Sequence, residues 1–172
     1  MSGLTLVYTG NGKGKTTASL GLSMRALGHN QNVGFLQFMK GSKDYGEVKF
    51  ATMLRNFTLV QSGQESFVSY EFPDPIDIKM AQEGLELARK WFEEDTFDLV
   101  VLDELLVAVA FKLVSVAQVI DLVKQKPPRL NLVMTGRYAA PEIIEIADTV
   151  TEMTELRHAY QRGVQAKEGM EF

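Results

Sequence analysis

The sequence predicts an α/β fold with a mostly parallel sheet and helices on both faces, of the phosphate-loop (RecA-like) NTPase type. Three observations predict it. Apolar runs of strand length alternate with segments of helical spacing, which is the order of a βαβ chain. The strand runs are continuously apolar, as in parallel strands that are covered on both faces. The first run ends in a glycine-rich loop that contains lysine and threonine and precedes a helix.

The size and composition of the chain fit one domain. Of its 172 residues, 45% are hydrophobic and 23% are charged, so the chain can bury one core of ordinary size. We predict a single domain over residues 1–172, because neither a linker nor a repeat interrupts the pattern. The formal net charge of -4 argues against broad nucleic-acid affinity, which normally requires a basic patch. The lack of cysteine excludes disulfides, thiolate catalysis and cysteine-based metal sites.

The sequence contains no recognisable targeting or membrane signal. The N-terminal residues run directly into an apolar strand pattern without a basic segment, so we expect no signal peptide. No apolar run reaches the roughly 20 residues that are needed to span a bilayer. We therefore expect a cytoplasmic protein with neither a membrane partner nor a nucleic-acid partner.

The first strand and the first helix flank the glycine-rich turn. Residues 4–9 are apolar and β-branched and end at glycines, which predicts a buried strand. Residues 15–27 follow helical spacing, with Leu20 and Leu27 on one face, and Gly28 ends the helix.

Strands and helices continue to alternate along the middle of the chain. In order, we predict a strand over 32–39, a loop over 41–47, a short helix over 49–55, a strand over 57–61 and a helix over 77–94. The last helix has the clearest pattern, because its apolar residues recur at helical spacing. The stretch over 62–77 is irregular and long enough to be a functional loop. Its aromatic residues either pack beneath that loop or line an apolar pocket.

The second half of the chain repeats this alternation. In order, we predict a strand over 97–102, an apolar segment of undecided type over 107–114, a helix from Ser115 to about residue 125, a strand over 130–135, a helix over 141–147 and a strand over 149–153. Residues 157–172 are predicted to be mostly loop.

The turn after the first strand has the composition of a phosphate-binding loop. Its glycines let the backbone turn tightly and direct N–H groups toward phosphate oxygens at the start of a helix. Lys15 adds a positive charge, and the hydroxyl of Thr16 can bind Mg²⁺. We predict that the triphosphate of a nucleotide binds to Gly10, Asn11, Gly12, Lys13, Gly14, Lys15, Thr16 and Thr17.

This loop is a variant of the usual pattern. The usual pattern has a glycine five residues before the glycine of the Gly-Lys pair, and that position is Thr9 here. The first glycine is instead Gly10, and an additional lysine, Lys13, lies inside the loop. The preceding strand, the glycines, the lysine and the paired threonines nevertheless all indicate a phosphate loop.

Two carboxylates, Asp103 and Glu104, follow the apolar strand over 97–102. In phosphate-loop proteins an acid at this place holds Mg²⁺, which favours carboxylate and phosphate oxygens. We therefore predict a metal site formed by Thr16, Asp103 and Glu104. Glu104 either activates water for hydrolysis or binds metal without a basic role, and the spacing leaves both open.

Polar clusters follow the ends of four predicted strands. They are the phosphate loop, Lys40, the acidic pair and Arg137. Because ligands of parallel sheets bind beyond the carboxyl ends of the strands, we expect these clusters to share one edge. Arg137 is predicted to bind the nucleotide, with a surface salt bridge as the alternative, and Lys40 has the same two interpretations.

Several motifs in collinear order resemble the ATP:corrinoid adenosyltransferases of the bacterial cobalamin pathway. The matching strings are residues 8–18 around the phosphate loop, Arg25-Ala26-Leu27-Gly28-His29, Gln37-Phe38-Met39-Lys40-Gly41, Val101-Leu102-Asp103-Glu104-Leu105, Thr135-Gly136-Arg137, residues 147–153 and the tail Gly169-Met170-Glu171-Phe172. The resemblance covers nearly the whole chain, which makes it far more specific than a phosphate loop alone.

The resemblance implies transfer of the 5′-deoxyadenosyl group of ATP to the cobalt of a Co(I) corrinoid, with release of inorganic triphosphate, in adenosylcobalamin synthesis or salvage. ATP and the corrinoid are then the substrates, and Mg²⁺ is the metal cofactor. Lys15 and Glu104 are the catalytic candidates, because they can stabilise the departing charge directly and through the metal. The resemblance places Phe67 on the corrinoid side. It also implies a homodimer and a flavoprotein reductant.

Two other functions stay open at this point. A RecA-like ATPase would use Glu104 as the general base and would release ADP and phosphate. A non-catalytic nucleotide or corrinoid carrier is the second alternative, because Phe67-Val68-Ser69 stands where some family members have a Phe-x-Trp pair.

Overall fold

A computed structural model describes residues 2–172 and contains one parallel sheet. Its six strands, within those residues, are β1 (Thr5–Thr9), β2 (Val33–Phe38), β3 (Phe57–Ser62), β4 (Leu99–Asp103), β5 (Asn131–Thr135) and β6 (Thr149–Glu152). They lie in the order β3-β2-β4-β5-β1-β6, and each neighbouring pair is parallel. The predicted α/β fold with a parallel sheet is confirmed.

Helices cover both faces of this sheet. They are α1 (Lys15–Gly28), α2 (Gly46–Ala51), α3 (Pro75–Glu94), α4 (Leu105–Ala110), α5 (Val116–Gln125), α6 (Pro141–Glu145) and a terminal 3-10 turn (Ala159–Arg162). Successive strand residues point to opposite faces, so Leu36 and Leu102 join one buried cluster with α3 to α6. Phe35 and Val101 join a second cluster with α1 and α2. Both faces of the central strands β2 and β4 are therefore buried, as their continuous apolar runs predict.

The clearest differences from the sequence predictions concern helix bounds. The short helix predicted over 49–55 is wrong by several residues, because α2 begins at Gly46 and ends at Ala51. Residues 52–56 instead turn the chain into β3, and the carbonyl of Asn56 accepts a hydrogen bond from the N–H of Val33. The undecided segment over 107–114 contains the end of α4 and the turn after it.

The long helix α3 begins two residues earlier than predicted. Asp74 and Asp77 form a reciprocal capping box, in which the Asp74 side chain accepts from backbone N–H groups of the first turn and the Asp77 side chain accepts from the N–H of Asp74. Pro75 occupies the first helical position, where a missing N–H costs nothing. The cap therefore shortens the irregular stretch that the sequence predicts over 62–77.

The topology brings four strand ends to one edge of the sheet. Thr9, Phe38, Asp103 and Thr135 are the last residues of β1, β2, β4 and β5. These strands are neighbours in the sheet, and all of them run in the same direction. The loops that follow them therefore converge, as the sequence predicts. No helix in the part of the chain from residue 2 to residue 172 is long and apolar enough to cross a membrane.

Candidate active site

The predicted phosphate loop connects β1 to α1, and its backbone requires glycine. Gly10 and Gly14 have φ angles of 94° and 119°, in the left-handed region that disfavours other residues. The N–H of Gly12 donates to the carbonyl of Met153 at 2.6 Å. A Cβ atom on Gly10 would lie only 2.4 Å from that carbonyl oxygen. The segment after β6 therefore packs closely against the loop and holds its shape.

Lys15 lies at the centre of this loop. Its side chain is buried, and its ammonium donates to the carbonyls of Gly10 and Gly12 at 2.8 and 2.7 Å. Burial lowers the pKa of Lys15; the nearby Glu104 carboxylate opposes that effect and Arg137 adds to it. The loop thus holds one cation among its own backbone groups, where a phosphate oxygen can reach it.

Asp103, at the end of β4, contacts residues from the other three converging strand ends. Its Oδ1 accepts hydrogen bonds from the hydroxyls of Thr16, at 2.9 Å, and Thr135, at 2.7 Å. Its Oδ2 forms an ion pair with the ammonium of Lys40 at 2.8 Å. The Asp103 side chain is fully buried. The predicted acid thus contacts the predicted loop threonine directly, and a single carboxylate connects β4 with β5, the loop and the end of β2.

Lys40 forms a buried ion pair, so the surface salt bridge that the sequence left open is wrong, while nucleotide binding by Lys40 stays a prediction. Its ammonium faces the buried Asp103, not a surface carboxylate, and lies 5.7 Å from the centre of the Tyr45 ring. Although burial opposes the charged form, the Asp103 carboxylate raises the pKa of Lys40. Lys40 is therefore part of the site and keeps its charge there.

Glu104 lies beside this network, and its backbone has a left-handed conformation. Its φ angle is 59°, and its N–H donates to the hydroxyl of Thr135 at 3.0 Å. Burial and the Asp103 charge raise the pKa of Glu104, while Lys40, Lys15 and Arg137 oppose that shift. Glu104 and Arg137 both line the cavity above the loop.

Lys13 is placed differently from the other loop residues. Its ammonium donates to the carbonyl of Met170 at 2.7 Å and forms an ion pair with Glu171. Both side chains remain partly exposed. Lys13 therefore lies at the outer rim of the loop, where it ties down the C-terminal tail.

Two cavities share a wall at this edge. The phosphate cavity, of about 290 Å³, is lined by residues 12–17, His158, Met170 and Glu171. The wide cavity, of about 950 Å³, is lined mainly by apolar and aromatic residues, namely Met39, Phe67, Val68, Tyr70, Val107, Ala110, Phe111 and Tyr138. The residues common to both cavities are Lys40, Tyr45, Glu104 and Arg137. Phe67 is thus separated from the phosphate loop by one polar wall.

A third cavity, of about 540 Å³, lies on the other side of the loop. It is bounded by α1, α2 and the tail, and it shares Thr16 and Thr17 with the phosphate cavity. Asn11, by contrast, is exposed at the tip of the loop. The predicted loop residues therefore do not all face one cavity.

The site residues predicted from the sequence omit Thr135, Tyr45 and the tail. Thr135 is the last residue of β5, and its contact with the acidic pair depends on the strand order, which no local sequence pattern contains. Tyr45 and Glu171 lie in segments without regular periodicity, so the sequence pattern carries no signal for them. His158 caps the terminal 3-10 turn by accepting from the N–H of Tyr160, and it also lines the phosphate cavity.

The fold and the site define a phosphate-loop nucleotide-binding protein. A strand, a glycine-rich loop and a helix lie at the carboxyl edge of a parallel sheet, and an acid from another strand contacts the loop threonine. A sequence model of the family described as ATP:corrinoid adenosyltransferase BtuR/CobO/CobP matches residues 1–172. The chain belongs to this family, and ATP is the nucleotide substrate that the family name states.

Three relatives of the chain are named corrinoid adenosyltransferases. The chain is 34% identical to the corrinoid adenosyltransferase of Escherichia coli strain K12, over 99% of this chain and 86% of the relative. It is 36% identical to the corrinoid adenosyltransferase of Pseudomonas aeruginosa, over 99% and 84% of the two chains. It is 34% identical to corrinoid adenosyltransferase CobA of Salmonella typhimurium, over 99% and 86%.

Proposed function

We propose that the chain transfers the 5′-deoxyadenosyl group of ATP to the cobalt of a Co(I) corrinoid and releases inorganic triphosphate. Membership of the adenosyltransferase family supports the reaction class. The structural observation that carries the proposal is the wall common to the phosphate cavity and the wide cavity. A nucleotide held on one side of that wall and a large apolar ligand on the other would meet at its polar residues.

The reaction needs the two substrates to be held in line. The electron pair of Co(I) forms a bond to the 5′-carbon of ATP, and the bond from that carbon to the α-phosphate oxygen breaks. The oxygen keeps the bonding pair and leaves with the triphosphate, so cobalt becomes Co(III). The nucleophile belongs to the corrinoid, and the protein has to orient the reactants and stabilise the departing negative charge.

The phosphate loop supplies that stabilisation in our proposal. The ammonium of Lys15 and the backbone N–H groups of the loop, apart from that of Gly12, which donates to Met153, would hold the triphosphate before and after the bond breaks. Arg137 adds a second positive charge at the wall between the two cavities. Lys15 is buried, so its charge acts more strongly there than it would in open water, whereas Arg137 is exposed.

The oxygen donors at the loop fit Mg²⁺. Thr16 and Glu104 would bind it together with phosphate oxygens, which are the hard ligands that this ion prefers. Both oxygens of Asp103 already accept hydrogen bonds, so Asp103 would act through the Thr16 hydroxyl or through water. When bound, Mg²⁺ supplies positive charge that neutralises the triphosphate.

The wide cavity is the proposed corrinoid site. Its volume of about 950 Å³ lies at the upper end of the volume range of small-molecule and cofactor sites. The rings of Tyr70 and Phe111 pack edge to face at 5.0 Å and form part of its apolar lining. Phe67 is fully exposed on the same cavity, so its ring can pack against a planar apolar ligand.

The remaining expectations from the family resemblance stay proposals. They are a homodimer, a flavoprotein that reduces the cobalt, and a cytoplasmic location. The aromatic side chains exposed around the wide cavity provide a surface on which a reductant or a second subunit could approach the corrinoid.

The proposal is tested by anaerobic incubation of the protein with MgATP and a chemically reduced corrinoid. We expect the absorption spectrum of a cobalt–carbon-bonded adenosylcorrinoid, formed only when both substrates are present. ATP hydrolysis without this product would favour the RecA-like ATPase alternative. Binding of both ligands without turnover would favour the carrier alternative.

A further inference from the structure

We propose that Thr135 is a positioning residue that orients both members of the acidic pair, Asp103 and Glu104, for metal-dependent ATP binding. No sequence motif marks Thr135 as a residue that binds a ligand, and its side chain is fully buried. It therefore acts through its neighbours and not by contact with the nucleotide. The inference rests on the proposed use of the phosphate loop with Mg²⁺, but it does not depend on the corrinoid.

The hydroxyl of Thr135 makes two different hydrogen bonds. It donates to Oδ1 of Asp103 at 2.7 Å and accepts from the N–H of Glu104 at 3.0 Å. A hydroxyl has one hydrogen to donate, so the donated bond to Asp103 fixes the direction of the lone pair that faces Glu104. Serine could reproduce both bonds, whereas valine has the same shape and can make neither.

The bond to Asp103 acts on the phosphate loop through Thr16. The same atom, Oδ1 of Asp103, also accepts from the Thr16 hydroxyl at 2.9 Å. Because Asp103 and Thr135 are both fully buried, water cannot replace a lost partner easily. Without the Thr135 hydroxyl, the carboxylate keeps only Lys40 and Thr16 as partners, so the position of Oδ1 and the direction of the Thr16 hydroxyl are less well fixed.

The bond to Glu104 acts on the backbone. Glu104 adopts a left-handed conformation between β4 and α4, which a residue other than glycine adopts only when its surroundings hold it there. The next residue after Thr135 is Gly136, at which a Cβ atom would lie 2.8 Å from the backbone nitrogen of Val107. The end of β5 therefore packs tightly against the start of α4, and the Thr135 hydroxyl completes this contact.

Calorimetric titration of ATP, with Mg²⁺ and with EDTA, tests the role. The measured quantity is the Mg²⁺ factor, the ratio of ATP affinity with Mg²⁺ to ATP affinity with EDTA. We expect Thr135→Val to lower this factor about tenfold compared with the wild type, as expected for loss of a hydrogen bond to a charged group. The affinity in EDTA should change by less than about threefold. Thr135→Ser should restore the wild-type factor. This readout requires no corrinoid, so it stays informative if the adenosyl transfer itself is not observed.

A purely structural role predicts a different pattern. Thr5→Val is the matched control, because Thr5 is also a buried strand threonine but lies at the opposite end of the sheet. Equal losses with Mg²⁺ and with EDTA in Thr135→Val would overturn the proposal. If Thr135→Val does not fold, Thr135→Ser decides the matter, since a folded serine variant that loses the Mg²⁺ effect would also overturn it.

Discussion

The hydroxyl of Thr16 lies 2.9 Å from Oδ1 of Asp103, so the phosphate loop and the acidic strand end are in direct contact. The same carboxylate group pairs with Lys40 through its other oxygen. Because the buried Asp103 holds both the Thr16 hydroxyl and Lys40, it sets the direction of that hydroxyl before any ligand is bound. This pre-arrangement is what an enzyme needs when its main task is to orient a triphosphate.

Lys15 is expected to be essential for ATP binding. Lys15→Ala removes the cation at the centre of the loop and should weaken ATP affinity by at least about a hundredfold, because more than one charge-assisted hydrogen bond is lost. Lys13→Ala is the matched control, since Lys13 lies at the rim and pairs with the tail. Calorimetric ATP titration measures both. An ATP affinity of Lys15→Ala close to that of the wild type would disprove the assignment of the phosphate loop.

The ion pair between Lys40 and Asp103 should be visible in stability measurements. Asp103→Asn leaves a largely buried ammonium without its partner and should lower the free energy of unfolding by about 3 kcal/mol. Lys40→Met should also destabilise the fold, and the double variant should be more stable than the sum of the single losses predicts. Urea denaturation of the four proteins gives this coupling energy. Strict additivity would mean that the pair does not interact in solution.

Phe67 is expected to affect the corrinoid and not the nucleotide. Phe67→Ala removes an exposed ring from the wide cavity and should raise the corrinoid KM about tenfold, from the loss of apolar contact area. The Kd for ATP should not change. Phe72→Ala is the control, because Phe72 is also highly exposed but lies outside the residues that line this cavity. Equal effects of the two variants on corrinoid KM would contradict the proposed corrinoid site.

Glu171 is expected to weaken ATP binding in the wild-type protein. Its carboxylate lines the phosphate cavity and pairs with Lys13, so it repels a triphosphate and competes for a loop cation. Glu171→Gln should therefore increase ATP affinity about threefold at low salt, with a smaller effect at high salt, because the groups are partly exposed. Glu168→Gln on the same tail is the control. A decrease in ATP affinity in Glu171→Gln would show that the tail assists binding instead.

The sequence predicts the fold well because the central strands β2 and β4 are buried on both faces. Continuous apolar runs such as residues 97–102 favour a parallel sheet, and the structure has a strand over residues 99–103 within one. The bounds of α2 could not be predicted from helical spacing, because none of the residues of this six-residue helix is buried. The start of α3 could have been predicted from the spacing of Asp74 and Asp77 around Pro75.

In the site too, the sequence predicts the residues that local patterns encode but not the contacts that depend on the fold. Loop composition predicts Lys15 and Thr16, and the strand end predicts Asp103 and Glu104, because each is encoded locally. The pairing of Asp103 with Lys40 depends on the strand order β2-β4-β5, which no local pattern contains. The contact between Lys13 and the tail joins residues 157 positions apart, and the tail has no periodic pattern that would indicate it.

The fate of the three phosphates tests the central claim most directly. In a single turnover with MgATP and a reduced corrinoid, ³¹P NMR of the products distinguishes the two bonds that can break. Our account predicts inorganic triphosphate in an amount equal to the adenosylcorrinoid that forms. ADP and inorganic phosphate as the only phosphorus products would contradict it, because the bond broken would then be the one to the terminal phosphate.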